Sequence, residues 1–146
     1  MPSLPTLNPN ATLDAILSEV IQHFRAETGT IHLVENGMLV LRAMHGAFPP
    51  PVVEAIRSIP FGKGIAGAAA ERREAITICN IQSDTSGDVR PGAKATGMEG
   101  AIAVPMFGAD DSVRGTLGIA NRAARDWTKD ETEMLLTYGR AIAARA

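Results

Sequence analysis

The sequence predicts an α+β fold built around an antiparallel sheet, and three observations predict it. Asn36-Gly37 separates two aliphatic runs, the strongest short signal for a two-residue hairpin, so the strands on either side pair antiparallel. Amphipathic helices stand at both ends: Leu13, Ile16, Leu17, Val20, Ile21 and Phe24 recur at helical spacing, and Met134, Leu135, Tyr138, Ala141 and Ile142 share one face. The order between them is hairpin, short helices, strand, long polar loop and hairpin, with no βαβ unit and no internal repeat.

Each element has its own signal. Residues 1–11 carry Pro2, Pro5 and Pro9 and form an extended lead-in to a single domain over residues 12–146. Thr12 caps the first helix, Asp14 sits in its favourable first turn, and the helix is expected to end near Thr28-Gly29. Strands follow over residues 30–35 and 38–44. Pro49-Pro50-Pro51 breaks the second strand and starts a short helix over residues 52–59. A glycine-rich turn leads into a helix at about residues 65–72, and residues 75–79 make a short strand.

The polar, glycine-rich stretch 82–98 is the length of a lid or binding loop, though a surface excursion fits it equally. Two further strands, 101–107 and 114–120, flank a turn at Gly108-Ala109-Asp110-Asp111-Ser112, whose paired aspartates are most simply a solvated tip. Pro105 argues for an edge position or a bulge in its strand. Thr128-Lys129-Asp130-Glu131 is a capping box that opens the last helix.

Composition removes several function classes. A net charge of -2, a pI near 5.9 and 4% aromatic residues give no basic footprint and no base-stacking platform, so nucleic acid is not expected. Met1-Pro2-Ser3-Leu4-Pro5 lacks the basic and apolar regions of a signal peptide, and no apolar run reaches the roughly twenty residues of a membrane span. Cys79 is the sole cysteine, which excludes an internal disulfide and fits a reducing compartment. The expectation is a soluble cytoplasmic domain.

The stretch that organises the chain is Ile59-Pro60-Phe61-Gly62-Lys63-Gly64-Ile65-Ala66-Gly67. Backbone amides at a glycine turn and a helix N-terminus suit an anion or a carbonyl oxygen, and Lys63 adds positive charge. A tight turn with close helix packing accounts for the same glycines. Gly62-Lys63-Gly64-Ile65-Ala66-Gly67 matches the dinucleotide fingerprint literally, with Asp84 about twenty residues on. That fingerprint requires a parallel βαβ unit, and here a helix precedes it among antiparallel strands, so the reading is rejected.

No two of His23, His32 and His45 have ligand spacing on a helix, and Cys79 has no companion, so no metal site is expected. His45 is retained because it ends a strand just before the segment that closes the pocket. No Gly-x-Ser-x-Gly elbow is present, and Cys79 in an apolar strand reads as a small buried hydrophobe. Nothing in the pattern indicates catalysis or a cofactor.

With the order of elements in hand, residues 12–145 resemble the GAF domain family. Ile59 to Gly67 resembles the family's glycine-rich turn. Ala101-Ile102-Ala103-Val104-Pro105-Met106 and Arg114-Gly115-Thr116-Leu117-Gly118-Ile119 resemble its last two strands, and Trp127-Thr128-Lys129-Asp130-Glu131 the start of its last helix. The resemblance implies a GAF/PAS-like sheet of five or six strands. The terminal helices would lie on one face, with short helices and loops over a small-molecule pocket on the other. It also implies sensing by ligand binding, signalling to a partner protein, and homodimers through helices 12–27 and 128–145.

Asn121-Arg122, Trp127 and Asp130-Glu131 depart from the Asn-Lys-Phe-Asp-Glu signature of cyclic-nucleotide-binding members in two residue types and in spacing. No cysteine stands where a bilin would attach. Within the family the chain resembles the free methionine-(R)-sulfoxide reductases, which carry a cysteine where Ala66 stands and a reactive one near Ala93 or Lys94. Thiol chemistry needs an attacking thiolate and usually a resolving thiol, so that activity is expected to be absent.

The implied pocket is lined by His45, Phe61, Lys63, Gly64, Ile65 and Ala66. It is roofed by Asp84, Arg90, Met98 and Glu99 and floored by Ala103 and Thr116. Its ligand would be anionic or zwitterionic, with Lys63 and the loop amides meeting the anion and Asp84 or Glu99 an ammonium. The alternatives are a dimerisation module with a collapsed pocket and an inactive relative of the reductases.

Overall fold

The computed structural model describes residues 7, 8, 10–89 and 91–145. Most of the proline-rich lead-in and Arg90 therefore lie outside the described residues. Of the lead-in, Leu7 packs against the core, and the backbone carbonyl of Asn8 accepts from Arg145 at 2.8 Å.

Six strands form one sheet, β1 (Thr28–Glu35), β2 (Met38–His45), β3 (Ser58–Pro60), β4 (Ile76–Ile78), β5 (Gly100–Phe107) and β6 (Val113–Asn121). All pairings are antiparallel, in the order β3-β2-β1-β6-β5-β4. The Asn36-Gly37 hairpin has both residues at positive φ, 52° and 77°, as its turn type demands.

Helices α1 (Leu13–Phe24) and α4 (Lys129–Ala143) cover one face of this sheet. Ile16, Leu17, Val20, Ile21 and Phe24 of α1 and Leu135, Tyr138 and Ile142 of α4 pack on Ile31, Ile102, Val104, Met106, Leu117 and Ile119. The opposite face carries α2 (Pro50–Ile56), α3 (Gly64–Arg72) and the 3-10 helix Pro91–Thr96. Alternation along each strand decides which side chains look which way. Leu117 and Ile119 point to the terminal helices, whereas Thr116, Gly118 and Ala120 point to the short ones.

Several boundaries differ from the sequence reading. The first helix ends at Phe24 rather than near Thr28-Gly29, because Arg25 turns left-handed (φ 54°) and its carbonyl is taken by the Asn121 amide at 2.8 Å. Thr28 and Gly29 then belong to β1, opposite Ala120 and Ile119. The helix after the prolines ends at Ile56, and Ser58–Pro60 becomes an edge strand on β2, too short to show any alternation. Pro105 lies beyond Ala103, the last β5 residue paired to β4, and the register shift follows at Met106/Phe107.

The capping box is formed as expected: the Glu131 amide donates to Thr128 Oγ1 at 3.0 Å, and the Thr128 amide donates to Glu131 Oε1 at 2.9 Å. Arg72 on α3 donates to both Asp88 carboxylate oxygens, at 3.1 and 2.7 Å, tying the 82–98 loop to that helix.

Candidate functional site

The face roofed by short helices does not close. A cavity of about 380 Å³ lies between β1, α2, the start of α3 and the 3-10 helix, with mostly apolar walls. A second space of about 140 Å³ continues it over β5 and β6, the two sharing Thr30, Phe48, Ile65, Ala66, Ala93 and Thr96. The void follows from side-chain size. Ala101, Ala103, Gly118 and Ala120 line it from the sheet and Ala66 from α3, positions where larger residues would meet.

The glycine turn seats α3 at the cavity rim. Gly62 and Gly64 take φ values of 87° and 67°, which side chains rarely adopt. A Cβ on Gly67 would stand 2.6 Å from the Pro60 carbonyl, so only glycine lets α3 sit so near β3. Two amides expected to be free are used inside the turn. Gly62 N–H donates to the Gly67 carbonyl at 2.8 Å, and Lys63 N–H donates to the Pro60 carbonyl at 3.2 Å. The first intrahelical bond runs from Gly67 N–H to the Lys63 carbonyl. The amides of Gly64, Ile65 and Ala66 thus have no acceptor within the helix, and all three residues line the cavity with Lys63.

The polar back wall comes from β1. His32 is 1% exposed, lines the cavity, and has Nε2 2.8 Å from the Ile56 carbonyl at the end of α2. A carbonyl only accepts, so Nε2 carries the hydrogen and Nδ1 is left as a bare lone pair. Burial pushes the imidazole pKa down, outweighing the hydrogen bond to Ile56, which raises it. Thr116 pairs directly with His32 across the β1–β6 ladder. Both His32 Nδ1 and Thr116 Oγ1 are buried without a hydrogen-bond partner.

Among the residues named from sequence, the structure brings Lys63, Gly64, Ile65 and Ala66 together around the larger cavity and Met98 and Ala103 around the smaller one. The others stand elsewhere. His45 is exposed at the end of β2, after the bulge opposite Ile31/His32, and Phe61 is exposed on the outside of the turn. Asp84 is used within its own loop, accepting from the Ser86 amide at 3.1 Å and hydroxyl at 2.6 Å. Glu99 accepts from the Asn80 side chain at 3.2 Å, and neither carboxylate lines these cavities. Thr116 is buried beside His32 and lines neither cavity. Arg90 lies outside the described residues.

Sequence reasoning passed over Thr30, His32, Phe48, the α2 residues Pro51, Val52, Ala55 and Ile56, and the loop residues Ala93, Ala95 and Thr96. A signal existed for two of them, because Thr28, Thr30 and His32 alternate polar with Gly29 and Ile31 and so share one face of β1. None existed for Phe48, which precedes Pro49 in irregular chain.

Cys79 corrects another expectation. It follows β4 on the outward side of the alternation, is exposed, and does not line the cavity. The neighbouring Asp126 carboxylate pushes its thiol pKa up, which disfavours the thiolate.

A family model described as the GAF domain matches residues 6–144. The chain belongs to the GAF domain family. Solved GAF structures share the fold at low sequence identity. The GAF domain of an Acinetobacter phosphoenolpyruvate-protein phosphotransferase superposes with a TM-score of 0.71 at 18% identity, covering 92% of this chain and 83% of that one. The type II free methionine-R-sulfoxide reductase of Thermoplasma acidophilum gives 0.74 at 16%, covering 90% and 86%. The free methionine-R-sulfoxide reductase of Neisseria meningitidis, solved in complex with its substrate, gives 0.69 at 17%, covering 98% and 93%. No curated protein matches the chain. Among the described residues, no helix is long and apolar enough to cross a membrane.

Proposed function

We propose that this GAF domain is a non-enzymatic sensor that binds a small organic anion in the cavity beneath α2 and the 3-10 helix. The observation that carries the reading is the junction of an apolar cavity of about 380 Å³ with the first turn of α3 and Lys63. A helix N-terminus beside a lysine holds a carboxylate or similar group, and the apolar walls hold the rest of the molecule. Asp84 and Glu99 stand away from the cavity, so an ammonium partner comes from neither, which favours a simple anion over a zwitterion.

The thiol alternative has little support. Ala66 and Ala93 are both on the cavity wall. By the resemblance to the reductases, Ala66 stands where they carry one cysteine, and their reactive cysteine falls near Ala93 or Lys94, where this chain has none. The sole cysteine, Cys79, is remote, with its thiol held protonated by Asp126. A dimer through α1 and α4 would use their outward faces, since their apolar stripes are buried against the sheet of the same chain.

Thermal melting against a panel of small carboxylic acids tests the proposal. A ligand at a hundred times its dissociation constant adds about 2.7 kcal/mol of stability. Lys63→Ala should weaken binding of such an acid by about 1 kcal/mol or more. Melting that no acid shifts, or an affinity that Lys63→Ala leaves unchanged, would count against it.

A further inference from the structure

We propose that His32 is the specificity-determining acceptor of the cavity, its bare Nδ1 receiving a hydrogen bond from an uncharged hydroxyl or N–H on the ligand. The inference rests on the cavity being a ligand site and goes further by fixing the ligand class. That class is a small organic acid with an apolar body and one neutral donor remote from its acidic group.

Three observations lead to it. The Ile56 carbonyl fixes the tautomer, since Nε2 must donate to it at 2.8 Å, and so turns the acceptor nitrogen over to whatever shares the site. No described residue donates to Nδ1, and Thr116 Oγ1, on the facing position of β6, is equally without a partner. Buried polar atoms are nearly always paired. Thr116 lines neither cavity, whereas His32 lines the larger one, so a ligand group there is the partner that Nδ1 lacks.

Charge selects the kind of donor. Among the described residues that line the cavity none carries a carboxylate, and the charged one is Lys63. A cationic donor would be buried without a counter-ion and near a lysine, so the donor is neutral. A site built to receive a hydrogen bond rejects analogues that lack the donor far more strongly than an apolar wall rejects a missing methylene.

The test uses three acids of matched shape: para-hydroxyphenylpropanoate, which carries a donor, para-methoxyphenylpropanoate, which carries only an acceptor, and phenylpropanoate, which carries neither. Calorimetric titration of the wild-type protein should show the hydroxyl probe binding at least about tenfold tighter than the other two. His32→Phe should abolish that preference. If His32→Phe does not fold, nitrogen-15 spectra of the wild-type imidazole decide, because an acceptor nitrogen shifts upfield when hydrogen-bonded. The Nδ1 resonance should move with the hydroxyl probe and stay in place with the methoxy probe.

Ala66→Met, which fills the cavity from α3, separates the two levels of the proposal. Equal affinities for the three probes, all lost in Ala66→Met, overturn the role of His32 and leave the cavity as a binding site. Binding that survives Ala66→Met overturns both. Failure of all three probes to bind the wild type overturns the ligand class.

Discussion

The two faces of the sheet are made from the same strands and have opposite interiors. Under α1 and α4, Ile102, Val104, Met106, Leu117 and Ile119 interlock with Leu17, Val20, Leu135 and Ile142, and every one of these side chains is at most 2% exposed. On the reverse of the same two strands stand Ala101, Ala103, Thr116, Gly118 and Ala120, and the roof above them leaves open space. Period-two alternation thus divides β5 and β6 into a large-residue side that holds the fold and a small-residue side that leaves room. Of the three buried side-chain polar atoms without partners among the described residues, His32 Nδ1 and Thr116 Oγ1 occur together on that second side, and the third, Trp127 Nε1, belongs to a residue packed against the first.

The contrast can be broken at different strengths. Leu117→Ala, at a residue with 0% exposure on the packed face, should cost about 2–5 kcal/mol in urea unfolding, because the closely packed layer cannot collapse around the hole. A cost below about 1 kcal/mol would mean that the packed face is as slack as the other.

A smaller effect follows from His32. Its folded pKa is depressed by burial below the ordinary 6.5, so the unfolded chain takes up the proton first. Stability from this group is fully present above 6.5 and is lost as pH falls below it. Wild type should therefore lose more stability than His32→Phe between neutrality and about pH 5, measured by urea midpoint. Equal losses would show that His32 is charged or solvated in the fold.

The smallest effect is expected at Thr116→Val. Removing a hydroxyl that has no partner should leave stability within about 1 kcal/mol, on the stabilising side, in the free protein. A clear destabilisation would show that the hydroxyl is already satisfied.

The packed face was far more legible in the sequence than the open one. Its helices declare themselves through aliphatic spacing and through Thr12 and Thr128, both of which cap as expected, at 3.1 and 3.0 Å. The hairpin at Asn36-Gly37 and the strands around Pro105 follow from turn chemistry and β-propensity. β3 was hidden because three residues carry no period, and the end of α1 because a side chain almost a hundred positions away, Asn121, caps Arg25.

At the site, Lys63 to Ala66 could be named from the glycine turn, since local backbone chemistry places them. The loop 82–98 reads equally as a binding loop or a surface excursion, and in the structure Ala93, Ala95 and Thr96 reach the cavity while Asp84 and Glu99 bond within their own surroundings. Polar character drew attention to the carboxylates, whereas the cavity is lined by small and apolar side chains whose meeting is a tertiary event. His32 was passed over for His45 because a lone histidine in a strand has no spacing partner, and its significance lies in the carbonyl of Ile56, twenty-four residues on.

The central claim is that the open face is a binding site rather than imperfect packing. Native mass spectrometry of the wild-type protein and Ala66→Met, each purified from its host without added ligand, tests it most directly. The wild type should carry a small-molecule adduct of defined mass that Ala66→Met lacks while remaining folded. An adduct-free wild type, or the same adduct on both proteins, would contradict the account.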